Sequence, residues 1–280
     1  MPAPAYARRT RTEPAPPARY SGAADPETAA HGSLVPPLEL ELDERELHVW
    51  RVSLAAGDGP ADLGWATLSP DERARARRFH FDHDRRRFVL ARGALRRILA
   101  RYVWREPAQL VIAYGEGGKP ELADARRRVE FNLSHSDELA LIAVGRHGAL
   151  GIDVERARPV PDMDELARRF FAPGESATLA AVAPERRAEA FFACWTRKEA
   201  YVKARGEGLS MPLASFEVSL APGEPARLVR TTGDAAGPPR WSLHDLRPQP
   251  GYIGALAGES GADRLTWWDL DAEGTIAGCR

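Results

Sequence analysis

The stretch Phe191–Gly208, FFACWTRKEAYVKARGEG, constrains this chain more than any other. Phe191, Phe192, Trp195, Tyr201 and Val202 recur near the helical period, and no proline interrupts them. Gly206 and Gly208 then supply a stop signal. The spacing predicts one helix with a buried side. Trp195, Glu199 and Lys203 stand at i, i+4 and i+8, so an aromatic, an acid and an amine share a face.

Earlier in the chain, Gly151-Ile152-Asp153-Val154-Glu155 predicts a strand with Asp153 and Glu155 on the same side. Set beside the helix, it brings Asp153, Glu155 and Glu199 together with Lys203. That combination suits a hard divalent cation with a proton carrier next to it. The plainer alternative makes the strand acids a wet edge and pairs Glu199 with Lys203, worth about 0.2–0.5 kcal/mol. Two details oppose it. The strand follows closely on the apolar segment 139–144, which argues for a central position, and Glu199 shares its face with Trp195. Buried carboxylates without partners are costly. All-oxygen ligands without His or Cys favour Mg2+ or Mn2+ over zinc.

A chain of 280 residues has room for one large domain or two lobes. Its net charge of −1 excludes a globally basic nucleic-acid binder. Twelve arginines between Arg73 and Arg105 nevertheless mark either a local anion-binding surface or a solvated helix face. Cys194 and Cys279 form neither a zinc pattern nor a disulfide framework. No apolar run approaches the roughly 20 residues of a membrane span, and the N-terminus lacks the apolar core of a secretory signal. These features point to a cytoplasmic protein with no membrane and no nucleic-acid partner.

Residues 1–45, rich in Pro and Ala, read as a disordered tail. Order is expected from Glu46, where ELHVWRVSL reads as a strand. Ser69-Pro70-Asp71-Glu72 opens a helix with an S-x-x-E capping box. A second helix is expected over 84–102, with Phe88, Ala91, Leu95, Ile98 and Leu99 as its stripe. Arg87 and Arg92 lie near that stripe and need partners, an anionic ligand being one candidate. A strand at 110–114 leads into Gly115-Glu116-Gly117-Gly118-Lys119-Pro120, an ordinary turn or a loop whose glycines let backbone approach a ligand. Strands follow over 129–135 and 139–144. Asn132, Ser134, His135 and Ser136 crowd the first strand's end, as a turn or as a phosphate site. Helices are expected over 161–189, broken at Pro173-Gly174, and further strands over 216–220, 227–231, 240–246, 251–257 and 265–270. Both halves read strand, helices, then strands. The fold class expected is α+β, a pseudo-two-fold pair of similar lobes (46–148 and 149–270) with the site between them and a frayed end at 271–280.

With these residues set out, the chain resembles the 4'-phosphopantetheinyl transferases, in the larger two-lobed monomeric form. The resemblance runs from about residue 46 to 258. It rests on GIDVE at 151–155 with WTRKEAYVK at 195–203, supported by Gly118-Lys119-Pro120, Asn132-Leu133-Ser134-His135-Ser136, the Ser69-Pro70 helix start and Gly206-Glu207-Gly208-Leu209-Ser210. It implies a holo-[acyl-carrier-protein] synthase type reaction. The arm of coenzyme A passes to a serine of an apo acyl or peptidyl carrier protein, and 3',5'-ADP leaves. By position, Asp153, Glu155 and Glu199 look like the Mg2+ ligands, with Mn2+ as a possible substitute. Ser134, His135, Arg87 and Arg75, beside Asn132, look like phosphate holders. Gly118, Lys119 and Pro120 look like the adenine-side contact, and Lys203 like the pyrophosphate-binding lysine. Glu199 is the expected base, directly or through a metal-bound water, and Lys203 the expected acid. Spare arginines of 73–97 would meet an acidic carrier surface. Two other readings stand beside it: a Mg2+-dependent phosphohydrolase or nuclease using the same acids, and a non-catalytic coenzyme A- or carrier-binding protein.

Overall fold

Strand Leu139–Gly145 is buried at every residue, as expected of a strand covered on both faces. Its alternation sorts the two sides. Ala140, Ile142 and Val144 pack with Trp50, Leu95, Ile98 and Leu99. Leu139, Leu141 and Ala143 pack with Ile152, Val154 and Leu256. The computed structural model describes residues 33–34, 40–55, 61–115, 117–123, 129–146, 148–231, 240–259, 264–270 and 276–279.

In chain order the elements are β1 (Ser33–Leu34), β2 (Glu46–Ser53), α1 (Ala61–Thr67), α2 (Pro70–Arg77), α3 (Asp82–Val103), β3 (Ile112–Tyr114), β4 (Pro120–Leu122), β5 (Glu130–Ser136), β6 (Leu139–Gly145) and β7 (Leu150–Arg156). They continue with α4 (Met163–Phe170), α5 (Pro173–Ala181), α6 (Arg187–Arg205), β8 (Glu217–Val218), β9 (Leu228–Arg230), β10 (Trp241–Leu246), β11 (Tyr252–Glu259), β12 (Arg264–Leu270) and β13 (Ile276–Cys279). The α+β class expected from the sequence is the observed one. Six strands form one sheet in the order β1-β13-β12-β2-β6-β5, and three form another in the order β10-β11-β7. Helix α3 covers the outer face of the first sheet. Helix α6 covers the outer face of the second, where Ile253, Ala255 and Ala257 meet Phe191 and Tyr201. The layers therefore run α3, first sheet, second sheet, α6.

Local signals explain the boundaries. Glu72 Oε2 accepts the Ser69 amide at 3.0 Å, so the capping box forms as the sequence predicts. Helix α6 ends at Gly206, left-handed at φ 70°. Helix α1 has no forecast in the sequence, because Gly64 weakens its pattern. That glycine lies against Gly93 of α3, where a Cβ would fall 2.6 Å from the Gly64 Cα.

Three expected boundaries are corrected. Leu40 and Leu42 are 4% and 7% exposed and join the α3 core, so order begins ahead of Glu46. Most of the expected tail, 1–32 and 35–39, lies outside the described residues. The stretch 264–270, assigned to the second lobe, instead runs parallel to β2 in the first sheet. Trp268 stacks on Trp50 there at 5.6 Å and 20°, which gives the strand its reason to cross over. Within the expected frayed end, Ile276–Cys279 pairs with β12.

Candidate active site

The site lies where α6 crosses β7. Gly151 makes the crossing possible, since a Cβ there would fall 2.2 Å from the Ala200 carbonyl oxygen and 2.3 Å from the Ala204 nitrogen. With the backbones this close, Lys203 of α6 reaches over β7. Its ammonium donates to Asp153 Oδ1 at 2.6 Å, Ser134 Oγ at 3.1 Å and the Ile152 carbonyl at 3.2 Å. The Ser134 hydroxyl in turn donates to Asp153 Oδ1 at 2.8 Å. Asp153 is 5% exposed, and its Oδ2 is buried with no hydrogen-bond partner among the described residues.

The other two acids are half-buried nearby. Burial, then the Asp153 charge, pushes Glu155 up to about 7, opposed by a hydrogen bond from Ser136. Burial and Asp153 likewise push Glu199 up to about 7, opposed by Lys203. Trp195, one turn before Glu199 on α6, packs against Phe191 of the same helix and Phe170 of α4.

Among the described residues no group of three or more His, Cys, Asp or Glu side chains stands arranged to hold a metal ion. The expected cage of Asp153, Glu155 and Glu199 is thus not preassembled, because Lys203 supplies the counter-charge to Asp153. The chemistry still fits a cation. The donors are hard oxygens, one buried oxygen lacks a partner among the described residues, and two more acids are pushed up to about 7 by burial and then by the Asp153 charge.

The remaining predicted residues divide. His135 keeps contact with solvent, yet the protein mass around it, then the positive charges of Lys203 and Arg87, hold its pKa below 6.5. Arg87 therefore stands within electrostatic reach of the site. Arg75 lies over the Phe88 ring at 5.2 Å. Lys119 donates to the Leu150 carbonyl at 2.9 Å, two residues along β7 from the Ile152 carbonyl that Lys203 uses, and to the Ala204 carbonyl of α6 at 3.3 Å. Pro120 opens β4. Gly118 takes φ 76° with open space at its Cβ position. Gly117 serves packing: a Cβ there would fall 1.7 Å from the Gly206 oxygen. Beside this junction opens a cleft of about 600 Å3, lined by Gly117, Lys119, Arg146, Ala204 and Glu259 among others.

Two sequence readings are revised. Asn132 is buried, and its Oδ1 accepts the Ile152 amide at 2.9 Å, so it holds β7 rather than facing a ligand. Arg92 finds its partner within the protein, donating to Glu72 Oε1 at 2.5 Å and to Tyr114 Oη at 2.6 Å. Arg96, which the sequence did not single out, shares Glu72 at 2.6 Å. A capping glutamate one turn into a short helix, ahead of a helix with two arginines four apart, is the signal that could have found this cluster.

A buried acid-lysine pair flanked by further acids and a cationic rim has the makings of a phosphoryl-group transferase. Comparison with known proteins narrows this. Residues 149–257 match the 4'-phosphopantetheinyl transferase superfamily, and residues 61–147 match the family described as 4'-phosphopantetheinyl transferase, N-terminal. The chain is 43% identical over 229 residues to the 4'-phosphopantetheinyl transferase HetI of Nostoc sp., covering 81% of this chain and 93% of that protein. It is 34% identical over 162 residues to a 4'-phosphopantetheinyl transferase of Bacillus subtilis, covering 58% and 70%. With Sfp of Bacillus subtilis strain 168 it shares 33% over 156 residues, covering 55% and 66%. The chain belongs to the 4'-phosphopantetheinyl transferase superfamily.

Proposed function

We propose that the crossing of α6 and β7 transfers the 4'-phosphopantetheine arm of coenzyme A to a serine of an apo carrier protein, leaving 3',5'-ADP. The observation that carries the reading is the contact of Lys203 with a buried Asp153 whose Oδ2 has no partner among the described residues. Asp153, Glu155 and Glu199 would hold a Mg2+ ion, which when bound supplies charge neutralisation at the pyrophosphate. Lys203 exchanges its contact with Asp153 for the pyrophosphate and donates a proton to the leaving phosphate. Glu199, its carboxyl near neutrality, receives the proton of the attacking serine hydroxyl, directly or through a water. His135 and Arg87 bind phosphate at the rim, and Lys119 with Pro120 faces the adenine.

The carrier lies against the exposed Arg77 and Arg78 at the C-terminal end of α2, where its acidic surface finds complementary charge. The partners are acyl or peptidyl carrier proteins, with the HetI and Sfp relatives favouring the larger type over the holo-[acyl-carrier-protein] synthase type. The working form is a cytoplasmic monomer. Among the described residues no helix is long and apolar enough to cross a membrane.

The test is to incubate the protein with coenzyme A, Mg2+ and an apo carrier domain, then weigh the carrier. A gain of one phosphopantetheine arm, abolished in Asp153→Ala and Glu199→Ala, is expected. Cleavage of coenzyme A with no gain on the carrier would point to a hydrolase. Binding of coenzyme A without turnover would point to a non-catalytic role.

A further inference from the structure

Strands β5 and β7 run side by side in the same direction without joining one sheet among the described residues. Side chains take the place of the ladder. Asn132 Oδ1 accepts the Ile152 amide, Ser134 Oγ the Val154 amide at 3.4 Å, and Ser136 Oγ the Arg156 amide at 3.1 Å. Every second residue of β5 thus answers every second amide of β7. The two serines do something more. Each also has one hydroxyl proton to give. Ser134 gives it to Asp153, and Ser136 gives it to Glu155 Oε2 at 2.8 Å. Two hydroxyls spaced by two therefore steer two carboxylates spaced by two.

Ser136 differs from Ser134 in its surroundings. Ser134 also touches Lys203, whereas the hydrogen-bond partners of Ser136 among the described residues, Glu155 and Arg156, lie at the end of β7. The turn after it is pinned to the same strand, since Arg156 donates to Asp137 Oδ2 at 3.1 Å. Without the hydroxyl, Glu155 would keep its burial but lose the bond that fixes its rotamer.

We propose that Ser136 is a positioning residue that aims Glu155 for cation binding in register with Asp153. The inference rests on the assignment of a divalent ion to Asp153, Glu155 and Glu199. A partner of this kind usually changes metal affinity by about 10- to 100-fold when removed. The test is calorimetric titration of Mg2+ into the folded protein without coenzyme A or carrier, for the parent, Ser136→Ala, Ser136→Thr and Asp153→Ala. Ser136→Ala should bind at least about tenfold more weakly, and Ser136→Thr, which keeps the hydroxyl, should stay within about threefold of the parent. A Ser136→Ala affinity within about twofold of the parent would overturn the proposal. So would a Thr variant as weak as Ala. If Ala does not fold, Ser136→Cys, close in volume and a weak donor, must show the same loss. A parent that binds no Mg2+, or an Asp153→Ala variant that binds as well as the parent, would remove the cation assignment itself and this inference with it.

Discussion

Replacing Gly151 with alanine probes the closeness on which the site depends. The added methyl would meet the Ala200 oxygen at 2.2 Å, the Ala204 nitrogen at 2.3 Å and the Lys203 carbonyl carbon at 2.8 Å, all of them backbone atoms of α6. None of these can swing aside as a side-chain tip would. Relief requires the helix and strand to part by roughly 1 Å, enough to take non-bonded atoms back to ordinary contact. Lys203 bridges that gap with three hydrogen bonds of 2.6 to 3.2 Å, which a parting of this size would stretch beyond bonding range. A misplacement of about 1 Å in a catalytic group costs on the order of a hundredfold in rate. Overpacking of this kind also costs about 1–3 kcal/mol, or roughly 2–12 °C in melting temperature. The assay is the time course of carrier mass gain at saturating coenzyme A, paired with a thermal melt. A Gly151→Ala protein that transfers within about twofold of the parent and melts at the same temperature would refute the reasoning.

Glu72→Gln should lower stability by about 3–5 kcal/mol in urea unfolding, because it leaves Arg92 and Arg96, 7% and 1% exposed, without their shared anion. A loss under about 1 kcal/mol would show that their bonds to Tyr114 and to the Pro107 and Leu110 carbonyls suffice. Burial holds His48 at about 4, against an ordinary 6.5, with Glu46 opposing the shift. The unfolded chain therefore takes up the proton first as pH falls, so stability is full above 6.5 and drains away towards pH 4, by about 3 kcal/mol. His48→Gln should flatten that part of the pH–stability curve measured by urea midpoints, and an unchanged slope would contradict it.

Much of this was legible because the signals were local. The cap at Ser69, the apolar run of β6 and the face shared by Trp195, Glu199 and Lys203 each depend on residues within a few turns. The meeting of Asp153 with Lys203 could be expected because β7 and α6 each carry their candidate site residues in a fixed period. What the sequence withheld was pairing at a distance. Nothing near Trp268 says that its strand belongs beside Trp50. Asn132 and Ser136 offer the same donors and acceptors to a ligand as to a neighbouring amide, so composition alone could not decide between them. Only the matched alternation of Asn132, Ser134, Ser136 with Ile152, Val154, Arg156 carries that information, and it needs the register to be known. Arg92 had a partner within the chain for a similar reason, an acid already accounted for as a cap.

The parallel pairing of Arg264–Leu270 with Glu46–Val52 bears on synthesis. As the polypeptide leaves the ribosome, Trp50 is translated long before Trp268, the ring that stacks on it. Until then the flank of β2 is an unfinished seam, open to solvent and to any other nascent strand. Release of a protein lacking Arg264–Leu270 would thus damage the part made first.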